Sequence, residues 1–238
     1  MHVVEADFAK LREACDVIDA LGLPYVIGGG TAVVLWGRNR RTKDFDIFLN
    51  RQEIRPALDA LAHAGFQTAD TEKRWLYKAW CGDTLIDFIV ESRGGIRIDA
   101  DTMSHARVVK QYGYDFRMMG PEDTLFRKAL TLTEGRPDWY DGLSIIDRQR
   151  GQLDWAYFLY LAQRNRRRVL SFLLFVQTEL HVPPGAPPLQ SDNVLYPGDA
   201  SGPIPDWVVF TLIQQEWLHA RRSPRIPFAL TYQPRRAA

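Results

Sequence analysis

GGGTAVVLWGRNRRTKDFDIFL, from Gly28 to Leu49, joins a glycine run, a short apolar segment, a basic loop and a strand pattern carrying two aspartates. Tyr25-Val26-Ile27 before it reads as a short buried strand. The glycines then turn the chain into a helix over Thr31 to Trp36, and GRNRRTK leads to a strand over Phe45 to Leu49. Successive side chains of a strand alternate between faces, so Asp44 and Asp46 share one side while Phe45 and Ile47 take the other. Two carboxylates ~4 Å apart repel by ~4 kcal/mol at an effective dielectric of about 20. A cation between them relieves that repulsion. Clustered carboxylate oxygens suit Mg²⁺, which takes a few carboxylates together with substrate phosphates. The plainer alternative is a solvated strand end with two acidic residues.

Three neighbours favour the first reading. Gly29 and Gly30, between a buried strand and a helix, let the backbone approach a phosphate, and N–H groups at a helix start point towards it. Arg41 and Thr42, just before Asp44, offer a cation and a hydroxyl for phosphate oxygens. Asp87 lies within LIDFIV, and a charge inside an apolar strand needs a metal or a salt bridge, here to one of the nearby arginines.

Upstream, apolar residues recur at helical spacing from Ala6 to Leu21, and Pro24 stops that helix. Downstream, Glu53 to Ala64 reads as a helix ended by Gly65, followed by strands Trp75–Trp80 and Leu85–Val90 around the turn Cys81-Gly82-Asp83-Thr84. The pattern weakens from Glu91 to Tyr114, and Tyr114–Met119 reads as a last strand. From Pro121 the chain turns helical, over residues 121–133, 138–148, 154–163 and 166–180. A proline-rich connection follows, then a helix over Trp207–His219 opened by Pro205 and Asp206. Trp207, Phe210, Ile213 and Trp217 recur on one face of it, and that stripe packs either on a partner or, as the favoured expectation, back on the chain's own helical part.

Composition sets outer bounds. The 238 residues are 46% apolar and 25% charged with a formal net charge of +1, so no bulk field demands nucleic acid or membrane as partner. Cys15 and Cys81 match neither a disulfide framework nor a zinc site and fit a reduced cytoplasm. The first twenty residues lack the apolar run of a signal peptide, and Val169 to Val176 is far shorter than the ~20 residues of a spanning helix. A soluble, cytoplasmic protein is expected.

Together, Gly29-Gly30, Arg41-Thr42, Asp44-x-Asp46 and Asp87 resemble, in order, the nucleotidyltransferases of the DNA polymerase-β-like superfamily. The resemblance is closer to the abortive-infection (AbiEii-like) branch, which includes toxin nucleotidyltransferases. That branch carries a lysine in the first helix after the sheet and then an Arg-x-Lys-Asp-x-x-Asp element. Lys128 stands in the first place; Arg136, Asp138 and Asp141 fill the second, with Pro137 replacing its lysine. The resemblance covers residues 20–160.

It implies an α+β fold: a small mixed sheet with flanking helices over 1–119, a helical domain over 120–181 covering the nucleotide, then a proline-rich connection and helix over 182–238. Asp44, Asp46 and Asp87 would be catalytic and hold two Mg²⁺ ions, or Mn²⁺. Gly29, Gly30, Arg41, Thr42, Lys128 and Asp141 would bind an NTP, ATP among them, with Asp141 orienting Lys128. Snorkelling along its own helix is the plainer role for Lys128, and complementing the helix start the favoured one for Asp138. Arg164, Arg166, Arg167 and Arg168 are either a solvated face or a polyphosphate or RNA contact. The implied activity moves an NMP to a hydroxyl of RNA, protein or a small molecule such as an antibiotic, with an antitoxin or a second copy as partner. A catalytically inactive binding module is the alternative from another class.

Overall fold

The computed structural model describes residues 5–71, 74–131, 139–181 and 204–222. Arg136, Pro137, Asp138 and the proline-rich connection lie outside the described residues.

Helix α1 (Glu5–Ala20) leads to strand β1 (Val26–Gly28), helix α2 (Gly29–Trp36) and strand β2 (Phe45–Phe48). Helix α3 (Ile54–His63) precedes β3 (Gln67–Asp70), β4 (Leu76–Cys81) and β5 (Thr84–Ile89). Helix α4 (Ala100–Ser104), β6 (Arg107–Gln111) and β7 (Tyr114–Met118) complete the sheet. Helices α5 (Pro121–Thr131), α6 (Trp139–Arg148), α7 (Trp155–Ala162), α8 (Arg166–His181) and α9 (Asp206–Arg222) follow. The expected mixed α+β architecture is observed, with a larger sheet of seven strands in the order β3-β4-β5-β2-β1-β7-β6.

The sheet centre is mixed: β1 runs antiparallel to β2, while β2–β5 and β1–β7 are parallel. β4 and β5 form the hairpin read from Cys81–Thr84. Strand alternation divides the faces. Phe45, Ile47, Ile86 and Phe88 are fully buried on the core side, where Phe8 of α1 meets Phe45 edge-on at 5.1 Å between ring centres. Phe48 points the other way, into a smaller cluster with Val26, Ile98 and Met119. The main core runs without a break from Leu11 of α1 through the sheet to Phe126, Phe158, Phe172 and Leu212 of the later helices.

Two strands and one helix were not read from sequence: β3, β6 and α4. The two strands are the edges of the sheet. Helix α2 also starts earlier than expected, at Gly29, so both glycines sit in its first turn.

The last helix packs back on the helical part, as expected, but through another face than the aromatic stripe. Val208, Val209 and Leu212 are its buried residues, while Trp207, Phe210, Ile213 and Trp217 are 50%, 74%, 46% and 52% exposed. The small aliphatic face docks on the helical part, so the aromatic stripe lies outward. The arginine cluster secures this arrangement. Arg166 and Arg167 bind Glu216 at 2.9 and 2.6 Å, and Arg164 binds Asp99 at 2.6 Å, so these three make intramolecular ion pairs. Among the described residues no helix is long and apolar enough to cross a membrane.

Candidate active site

Strand register brings the carboxylates together. Asp46 and Asp87 are direct partners across β2 and β5, and Gly28 faces Asp46 from β1. Asp44 lies just before β2, where Thr42 Oγ1 donates to its backbone oxygen at 3.1 Å and to Oδ1 at 3.4 Å. With their neighbours committed to the core, these aspartates face a cleft of about 800 Å³ between the sheet and α5. Gly29, Gly30, Arg41, Thr42 and Lys128 line the same cleft, so eight of the nine residues singled out from sequence are gathered there. Asp141 does not line it and stands behind, on α6.

The glycines are there for room. Gly29 has φ +55°, and a Cβ on it would fall 1.7 Å from Asp46 Oδ2. A Cβ on Gly30 would fall 2.5 Å from Thr42 Oγ1 and 3.1 Å from Arg40 Nη2. The Gly30 N–H, expected to point at phosphate, donates to Asp46 Oδ2 at 3.2 Å.

Electrostatically the site is tense. Burial, then the Asp44 charge, push the Asp46 carboxyl up to about 6; the Gly30 hydrogen bond opposes the shift and Asp87 adds to it. Asp87, itself buried, is held by Lys78 Nζ at 2.6 Å. Among the described residues, a lysine rather than an arginine thus pairs with Asp87, directly opposite it in the hairpin register. Among the described residues, no three His, Cys, Asp or Glu side chains are drawn together tightly enough to hold a metal ion as they stand. The donor set nonetheless has the chemistry for a hard divalent cation: three carboxylates on one face, one of them held above its ordinary range by the other two and by burial.

The wall of the cleft is cationic. Lys128 Nζ lies 3.0 Å from Asp141 Oδ2. Arg38 donates to Asp141 Oδ1 through Nε at 2.9 Å, and Arg40 Nε lies 3.4 Å from the same oxygen. Burial alone would raise the Asp141 carboxyl; Lys128, Arg40 and Arg38 hold it below the usual range instead. Next to Lys128, the buried Arg127 donates to Ser92 Oγ at 2.7 Å and to the carbonyls of Ile96 and Arg97 at 3.1 Å each. It fastens the loop that forms the far side of the cleft, and burial pushes its guanidinium down to about 10.

The chain matches, over residues 7–164, the family described as "Nucleotidyl transferase of unknown function (DUF2204)". It belongs to that family. No curated protein matches this nucleotidyl transferase family member in sequence. Among solved structures it is similar to the lincosamide antibiotic adenylyltransferase LnuA with lincomycin bound, at 17% identity over 61% of this chain and 98% of that one, TM-score 0.43. It is also similar to the antibiotic-resistance factor ANT(2'')-Ia, at 16% identity over 69% of this chain and 94% of that one, TM-score 0.47. A third likeness is to an antigenic nucleotidyltransferase-like protein from Paracoccidioides brasiliensis, at 16% identity over 69% and 91% of the two chains, TM-score 0.42.

Sequence reasoning missed Arg38, Arg40, Lys78 and Arg127 as members of this family member's site. For Lys78 a signal existed: counting back from the two-residue turn at Gly82-Asp83 places it opposite Asp87. The arginines carried none, because a basic loop and a helical arginine look the same whether solvated or structural.

Proposed function

We propose that this protein moves an NMP from an NTP to a hydroxyl acceptor, with Asp44, Asp46 and Asp87 holding two Mg²⁺ or Mn²⁺ ions. The observation that supports this most is the in-register pairing of Asp46 with Asp87, with Asp44 two residues away, on the floor of a cleft whose wall is cationic. Bound there, the ions would stabilise charge on the transferring phosphoryl group and ease deprotonation of the acceptor. The chain's own residues do the rest. Lys128 meets the β- and γ-phosphates, with Thr42 and the Gly29-Gly30 turn beside them. Asp87 is the carboxylate that receives the acceptor proton. The acceptor oxygen bonds to the α-phosphorus, the bond to the β-phosphate oxygen breaks, and pyrophosphate leaves.

The Lys128–Asp141 pair supports placing the protein near the abortive-infection branch, since it joins two of the positions that carry that resemblance. The acceptor on this reading is RNA or protein, and an antitoxin is the expected partner. The test uses α-labelled NTPs with Mg²⁺ and the separated RNA, protein and small-molecule fractions of a cell extract. Label should enter the RNA or protein fraction and be lost with the Asp44→Asn, Asp46→Asn double variant. No labelled fraction, or equal labelling by the double variant, would overturn the proposal.

A further inference from the structure

We infer that Arg40 is a triphosphate-binding residue of this site, and that Asp141 is the positioning residue that gathers Arg40, Arg38 and Lys128 into one clamp. The inference rests on the nucleotidyl-transfer reading and adds to it a specific device for the phosphate end of the nucleotide.

The three cations come from two separate parts of the chain. Arg38 and Arg40 belong to the loop between α2 and β2, and Lys128 belongs to α5. All three converge on the Asp141 carboxylate, whose side chain is 2% exposed: Lys128 on Oδ2, and Arg38 and Arg40 on Oδ1. Three cations around one carboxylate leave positive charge in excess within the cluster, which suits a polyphosphate. Arg38 takes the bulk of Asp141 Oδ1, through Nε at 2.9 Å and Nη2 at 2.8 Å. Arg40 is further away, at 3.4 Å, and its buried Nε makes no hydrogen bond.

The other end of Arg40 faces the site. Its Nη2 is near enough to Gly30 that a Cβ there would stand 3.1 Å away, beside Thr42 Oγ1, and Arg40 lines the cleft with Lys128. Its planar fork thereby packs against the glycine turn, and both line the cleft. Arg38, which does not line the cleft, anchors the loop.

The experiment measures Mg²⁺-dependent binding of an NTP and of the matching NMP to the full-length protein by calorimetry. Because the clamp touches only the outer phosphates, Arg40→Ala should weaken NTP binding by about ten- to a hundred-fold, as loss of a charge-assisted hydrogen bond does. NMP affinity should not change, and Arg40→Lys should recover part of the loss. Asp141→Asn should lower the NTP preference in the same direction while the rest of the fold melts cooperatively. An unchanged NTP-to-NMP ratio in Arg40→Ala would overturn the clamp, provided that the wild-type affinity still depends on Asp44 and Asp46. NTP binding indifferent to Asp44→Asn with Asp46→Asn would instead overturn the underlying site.

Discussion

Asp46 must be ionised to bind a cation, yet its surroundings favour the protonated form, and the pH dependence of stability follows from that conflict. Its carboxyl is pushed from 3.8 to about 6 by burial and by Asp44. A folded-state value above the unfolded one means the protonated group favours folding. The penalty is therefore absent below about pH 4, grows as pH rises towards 6, and is complete at neutrality. Asp46→Asn should stabilise the ligand-free protein at pH 7 by about 1–3 kcal/mol, and by little below about pH 4. Urea denaturation of both proteins across this range measures the difference. A gap that does not open with pH would mean Asp46 is not the strained group. Adding Mg²⁺ at pH 7 should stabilise the wild type and leave the variant's stability nearly unchanged.

At the scale of elements, helix α9 offers the clearest contrast between pattern and packing. Leu212, a helical turn beyond the buried Val208 and Val209, is fully buried, while Phe210, next to them in sequence but on another face, is 74% exposed. Leu212→Ala should cost roughly 2–4 kcal/mol, and Phe210→Ala should stay within about 0.5 kcal/mol. Thermal or chemical melting of the two variants decides which face docks, and the reverse order would put the aromatic stripe inward. The sequence could not decide this, because apolar residues surround the helix and the period marks a stripe without saying which stripe is covered. The missed strands have a related cause. Gln67–Asp70 and Arg107–Gln111 are the outermost strands and lack a fully buried residue, so no alternation of apolar and polar residues marks them. The central strands were legible because both their faces are demanding: core on one side, carboxylates on the other.

For the whole molecule, the site is a consequence of long-range register. The Asp44-x-Asp46 spacing was readable along one strand, and its local geometry follows from the strand alone. That Asp87 faces Asp46 depends on β5 pairing in parallel with β2 at a separation of about forty residues, which only the resemblance anticipated. The Asp141 cluster spans about a hundred residues, from Arg38 to α6, and no local pattern foretells it. On the proposed function, the protein transfers the α-phosphoryl end of the nucleotide. The most direct test gives the protein, Mg²⁺ and its labelled acceptor fraction parallel supplies of α-labelled and γ-labelled NTP. Nucleotidyl transfer predicts that α-label joins the acceptor while γ-label leaves as pyrophosphate. Transfer of γ-label to the acceptor would contradict it.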